Sequence, residues 1–410
     1  FDVIVQVKDN LGSLAAVNDP TDVELDIVTG SDTLGGTLIA TIPAGASSVT
    51  LTGIKYYKAE NGVSIRALKL TGTATLTDGV SNLFNVAPNV LSTFAITDTT
   101  NSEIDPQITN TPFPIRVTAQ DLYGNTVPSF TGTVNITSTG TLSLGGGTTA
   151  AFVSGVLSSR NVTISNTGTF TITATRTAGG TESGTSNAFK VGSIKYSRAT
   201  GNWNADIWST TAAGAVQVGL RVANDDIAVI QAGNTVTVTV SDSCKGIQFS
   251  GGAAATLSVS TGIRMAIKDY IKLNSLANTA SSATLSGLGT LICDSINVGG
   301  TIAPTGNQNT TLTSTITSLT VRNNVVLMAR SAGRTSNNTP SFNLGTGTMT
   351  VGGNINAIGQ RAVTSTFTMA TGSNNATLIL TSANPTFNLT RSDNLANTTN
   401  FTLNLSGTTT

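Results

Sequence analysis

The chain has 410 residues, of which 39% are apolar and only 10% charged, with 21 basic and 21 acidic side chains cancelling to a net charge of zero; about a quarter of residues are charged in an average soluble protein. Balanced charge removes the electrostatic footprint of a nucleic-acid or anionic-membrane partner, and the apolar content is too high for disorder. There is no His, hence neither the commonest general base nor the commonest metal ligand, and no run approaches the ~18 apolar residues of a membrane-spanning helix.

Polarity comes from Thr, Ser, Asn and Gly, residues of pleated strands and tight turns. The first element alternates from Phe1 to Val7 and ends in a turn, Asp9-Asn10-Leu11-Gly12. It lines up with Phe113–Ala119 and Asp121-Leu122-Tyr123-Gly124. In each, Asp bonds the turn backbone and Gly supplies positive φ. Further on, inward Val63, Ile65 and Ala67 correspond to Phe170, Ile172 and Ala174, and Ser81–Val86 corresponds to Ser186–Val191. Two units of about one hundred residues, made of short strands and turns, predict tandem immunoglobulin-like β-sandwiches over 1–88 and 89–192. The second has an additional opening strand, Ser92–Ile96. The first has nothing ahead of Phe1, so its opening strand is expected to be missing or to come from upstream chain. Further domains of the same polypeptide are expected at both ends.

After Val191 the rhythm changes. Strands of four or five residues follow one another, each with two or three inward apolar residues and then Gly, Asn or Ser; Thr235–Val238, Ala255–Val259 and Ser318–Val321 are examples. Residues 289–299 are echoed at 347–357. Strands this short bury little alone, and stacking them as coils makes one continuous core. Residues 193–410 are therefore expected to form a parallel β-helix, with a rung of about 20–25 residues and roughly nine or ten rungs. Its first rung needs a cap, and Trp203 and Trp208 stand where one is required. Cys244 and Cys293 read as two small buried apolar residues, with a single disulfide between them as the alternative.

Catalytic chemistry has little to stand on. A glycosidase needs two carboxylates about 5–10 Å apart, whereas Asp225 and Asp226 are adjacent and turn opposite ways on a strand. Asp9 and Asp121 read as turn residues. A serine hydrolase would lack its His. Arg264, Lys268 and Lys272 form the densest basic run, read as the solvated face of one rung or as a contact for acidic polysaccharide. No cofactor or metal is expected, and the chain reads as a non-enzyme.

The opening Gly201-Asn202-Trp203…Trp208-Ser209, the stretch Asn224–Val238, and the sandwich motifs Gly124-Asn125-Thr126-Val127 and Ile42-Pro43-Ala44-Gly45 resemble the large secreted, cell-surface repeat proteins of the Bacteroidetes, in the style of the gliding adhesins. The resemblance covers nearly the whole chain and implies export by the type IX secretion machinery to the cell surface. It also implies O-glycosylation at Asp-Ser/Thr followed by an apolar residue or Thr, which marks Thr33, Thr99 and Ser295. The function expected is a non-catalytic adhesin or structural rod, its sandwiches as spacers and its β-helix as stalk or binding surface. A polysaccharide-binding or polysaccharide-degrading β-helix is the alternative, and an extracellular surface or polysaccharide the expected partner.

Overall fold

The computed structural model describes residues 1–273, 280–299, 308–328, 330–331, 337–359, 364–369, 376–382, 387–391 and 400–405. Among them every regular element is a strand: immunoglobulin-like sandwiches come first and a parallel β-solenoid follows. The chain gathers into two compact units. Residues 1–104, 112–162 and 171–188 form one, and 105–111, 163–170 and 189–410 form the other.

In the first unit, Val3–Gln6 pairs antiparallel with Ser48–Leu51. A larger sheet runs in the order Ile39–Ile42, Thr21–Thr29, Glu60–Lys69, Gly79–Val80. Leu25 and Ile65 of the larger sheet pack with Leu51, Val3 and Val5 of the smaller one. The second repeat builds one sheet in the order Leu142–Leu144, Val156–Ile164, Phe113–Gln120, Thr93–Thr97, and another in the order Gly147–Thr148, Val134–Ser138, Ile172–Arg176, Ser183–Thr185. Phe94, Phe130 and Phe152 meet edge to face in its core, with centroids 5.0–5.9 Å apart, the geometry that aromatic quadrupoles favour.

The two Asp turns take equivalent forms with different surroundings. Asp9 Oδ1 accepts from Leu11 N and Ser13 N, both at 2.9 Å, in an exposed turn. Asp121 is buried and accepts four hydrogen bonds at 2.9 Å, from Tyr123 N, Asn125 N, Asn125 Nδ2 and Asn89 N. Burial pushes its carboxyl up, but these bonds outweigh it and hold the group below the usual carboxylate range. Asn125 in turn reaches the first repeat. Its Oδ1 accepts from Ala59 N at 2.9 Å and its Nδ2 donates to Tyr57 O at 2.7 Å, while the Tyr57 and Tyr123 rings lie 4.6 Å apart.

In the second unit three parallel sheets form the sides of the solenoid. One side stacks Ile194–Ser197, Ile227–Ile230, Gly246–Phe249, Tyr270–Leu273, Ser295–Gly299, Val325–Met328, Ile355–Gly359 and Phe387–Arg391. A second begins Gly201–Asn202, Thr235–Val238, Ala255–Val259, Ser281–Ser286. A third runs from Asp242–Cys244 through Arg264–Ile267, Thr290–Cys293, Ser318–Val321 and Gly347–Val351 to Ala376–Leu380. Inward residues such as Phe249, Leu257, Met265, Leu291, Val325 and Phe342 are fully buried and belong to one core.

The turns differ from the expected rung. The first step, Ile194 to Ile227, takes 33 residues; from there Ile227 lies beside Gly246, Ile271 beside Ile296, and Ile355 beside Phe387, so the turn lengthens from 19 residues to 32. Among the described residues the first side stacks eight strands and the third side six, fewer than the nine or ten rungs expected. Each turn consumes three strands, and its corners lie outside the ladder, where added residues cost little. The echo of 289–299 in 347–357 is the same strand, corner and strand met two turns later: Thr290 lies beside Ser318 and Ser318 beside Thr348.

Candidate functional site

Alternation along each solenoid strand sends one set of side chains into the core and lines the other set up outside. On the second side the outer set is almost entirely hydroxyl and amide. One row runs Thr235, Thr256, Thr284, Thr313, Asn343, Thr368, each beside the next. A neighbouring row runs Ser282, Thr311, Ser341, Thr366, and a third Thr237, Ser258, Ser286. All are half-buried. Successive turns place these groups about 4.8 Å apart, and alternate residues of one strand about 6.6 Å apart. Val236, Leu257, Leu285, Leu312, Phe342 and Phe367 are buried beneath and hold the strands in register. Each hydroxyl donates one hydrogen bond and accepts two, and β-branched Thr has few rotamers to lose. Ser341 Oγ donates to Thr311 Oγ1 at 2.9 Å across the stack. The third side continues the theme with Thr290, Ser318, Thr348 and Thr377 in one row.

Such rows constitute a patterned, uncharged surface able to donate and accept hydrogen bonds at a fixed spacing. Strand detection in the sequence passed over them because outward Thr reads as mere solubility. The available signal is Thr or Ser at alternate positions of consecutive strands: 235 and 237, 256 and 258, 284 and 286, 311 and 313.

The basic run is not brought together. Arg264 heads the third-side row, beside Thr290. Lys268 stands at the corner and pairs with Asp225 Oδ1 at 3.0 Å. Lys272 lies on the first side, beside Gln248 and Asn297. The solenoid corner between Ile267 and Tyr270 separates Arg264 from Lys272, so the three charges do not share one rung face. Asp226, next to Asp225, is buried; it accepts from Ser193 N at 2.6 Å and Ala223 N at 2.9 Å and lies 3.7 Å from Lys195 Nζ. That buried pair has no signature in the sequence, since its members are 31 residues apart and meet only through stacking of the first side.

Trp203 and Trp208 are 1% and 0% exposed and meet at 5.2 Å in a T-shape, in the core at the start of the solenoid. Trp203 Nε1 donates to Asp242 Oδ2 at 3.0 Å, and Trp208 Nε1 to Trp203 O at 2.9 Å. Neither ring offers a face to a sugar. Cys244 and Cys293 are free and buried on the third side, and burial lifts both thiols well above their ordinary range. The strand carrying Ile267 lies between theirs, which places them about two stacking steps, or ~10 Å, apart and beyond the reach of a disulfide. Thr33 and Thr99 are exposed in loops, whereas Ser295 is half-buried in a strand. No group of three or more His, Cys, Asp or Glu able to hold a metal occurs among the described residues. Nor is any helix there long and apolar enough to cross a membrane.

Fold and surface together define an all-β chain of immunoglobulin-like sandwiches and a β-solenoid whose exterior is rich in hydroxyls. No family model matches the chain, and no curated protein does. Among solved structures it is similar to the D0-D1 domain of intimin, with 17% identity and a TM-score of 0.18 over 46% of this chain and 88% of that one. It is also similar to a β-glycosidase from Bacteroides vulgatus, with 10% identity and a TM-score of 0.21 over 45% of this chain and 24% of that one.

Proposed function

We propose that this chain is a non-catalytic segment of a cell-surface adhesin or structural rod, in which the sandwiches act as spacers and the solenoid presents its hydroxyl rows to an extracellular polysaccharide. The observation that carries the proposal is the row from Thr235 to Thr368, repeated on every turn at one spacing. A polysaccharide is itself a periodic array of hydroxyls, and hydrogen bonds to it gain from a partner already held in place. Resemblance to secreted Bacteroidetes repeat proteins supports export by the type IX machinery and display at the surface. The exposure of Thr33 and Thr99 supports them, ahead of Ser295, as sites of O-glycosylation.

The test is retention of the purified chain on microcrystalline cellulose and chitin particles. The expected result is retention on at least one, reduced about tenfold in a Thr256→Val, Thr284→Val, Thr313→Val triple variant, which removes hydroxyls and keeps strand shape. Equal retention of the variant, or no retention of either protein, overturns the hydroxyl surface. Soluble sugar released over time overturns the non-catalytic assignment.

A further inference from the structure

The sequence contains a single Asn-Gly step, Asn61-Gly62. It falls within Glu60–Lys69, at a place where the ladder to Phe84–Val86 is irregular: Glu60 lies opposite Val86, and Val63 opposite Phe84. Asn61 and Gly62 together therefore face Asn85 alone, two residues against one, which is a β-bulge. Gly62 takes the left-handed conformation, with φ of 76°, a region that Gly enters without steric cost. A bulge leaves backbone groups without a ladder partner. Here Gly62 N donates to Asn85 Oδ1 at 3.1 Å, and Gly62 O accepts from Thr29 Oγ1 at 2.7 Å. The peptide nitrogen of the bulge is thus held by a side chain and not by the sheet.

Asn61 is exposed, and nothing lies within 4 Å of where a side chain on Gly62 would begin, so the bulge is open to water. An Asn side chain followed by Gly can close on the next backbone nitrogen. Gly62 N gives up its proton and attacks Asn61 Cγ. The N–Cγ bond forms, the Cγ–Nδ2 bond breaks, and the departing nitrogen takes up the proton and leaves as ammonia. Water then opens the cyclic imide at either carbonyl and yields aspartate or isoaspartate. Gly is the most permissive residue at the second position, because no side chain shields the nitrogen and the backbone is least restricted. The closure needs a carboxamide free to turn and a nitrogen free to lose its proton. Exposure of Asn61 meets the first need. The hydrogen bond to Asn85 opposes the second, because it occupies that proton and fixes the nitrogen in the bulge.

We infer that Asn61 is a site of spontaneous conversion to isoaspartate, held dormant by Asn85. Asn85 is a positioning residue: it restrains the nitrogen and takes no part in bond making. The product acts on the sheet. Isoaspartate adds one carbon to the main chain inside the bulge and puts a carboxylate where a neutral amide stood. Side-chain period two leaves no slack for an added atom, so Glu60 and Val63 cannot both keep their partners Val86 and Phe84. Phe84 packs against the core of Leu25, Leu51, Ile54 and Ile65. Conversion therefore frees Phe84–Val86 from Glu60–Lys69. The pairing of Val23–Ile27 with Ile65–Lys69 lies beyond the bulge and is kept. The site belongs to the first sandwich and owes nothing to the hydroxyl rows or to adhesion.

The test holds the parent chain, Asn85→Ala and Asn85→Asp at pH 8 and 37 °C. Residue 61 is followed by peptide mass spectrometry, with an isoaspartate-specific methyltransferase as the probe. Asn85→Ala is expected to convert at least tenfold faster than the parent. Asn85→Asp, which keeps an acceptor oxygen in place, is expected to convert no faster than the parent. Unchanged hydrogen exchange over 21–29 confirms that Asn85→Ala folds. Equal rates in the parent and Asn85→Ala overturn the role of Asn85, as does an Asn85→Asp chain that converts as fast as Asn85→Ala. A free peptide of residues 58–66 that converts no faster than the folded parent overturns the dormancy. In the converted chain the amides of 84–86 are expected to exchange at least tenfold faster, and exchange equal to that of the unconverted chain overturns the release of that strand.

Discussion

Replacing each turn aspartate by Ala separates the contribution of burial from that of turn formation, because Asp9 and Asp121 occupy equivalent turns. Asp121→Ala removes a buried carboxylate that accepts four hydrogen bonds and strands the N–H groups of Asn89, Tyr123 and Asn125. A hydrogen bond to a charged group contributes about 1.5–3 kcal/mol, and a donor left unsatisfied costs about 1–3. Bonds sharing one carboxylate do not add in full, so a local loss of roughly 3 kcal/mol is expected. Asp9→Ala removes two bonds from an exposed turn, where water replaces the acceptor, and about 1 kcal/mol is expected. At about 1.4 kcal/mol per tenfold, amides of 113–127 should exchange on the order of 100-fold faster in Asp121→Ala. Amides of 3–15 should exchange roughly 5-fold faster in Asp9→Ala. Residues 57–59 should loosen with Asp121→Ala alone, because Asn125, which clamps Ala59 and Tyr57, leans on that carboxylate. Hydrogen exchange with fragment-resolved mass spectrometry measures all three segments. Equal acceleration by the two variants would refute burial and bond number as the cause.

Acid should weaken the first sandwich through Glu60. Hydrogen bonds from Ser31 and Tyr56 hold its carboxyl down from 4.5 to about 2. A depressed folded-state pKa adds stability that is complete above about 4.5 and drains away as pH falls toward about 2. Glu60→Gln should therefore flatten the fall of the thermal midpoint between pH 5 and pH 2.5, and a fall as steep as in the parent chain would dismiss Glu60 as its source. Cys244 and Cys293 should resist iodoacetamide at pH 8 in the folded chain and react in guanidinium, since burial raises both thiols and the thiolate is the reactive form. Modification of either thiol in the folded protein, counted by intact mass, would contradict its place in the core.

Alternation alone made the all-β class legible, because period two on short strands bounded by Gly and Asn admits only half-buried sheets. The repeat from Phe1 and Phe113 likewise exposed the tandem sandwiches. Trp203 and Trp208, expected where a solenoid end needs closing, are buried in its core. Three things needed the fold. Turn length did not show, because corners lie outside the hydrogen-bonded ladder and strands do not announce which of three sides they join. The separation of Arg264 from Lys272 depended on a corner between them, which spacing along the chain does not reveal. The hydroxyl rows and the Lys195–Asp226 pair join residues some 20 to 30 positions apart, and only the stacking register decides which of them become neighbours.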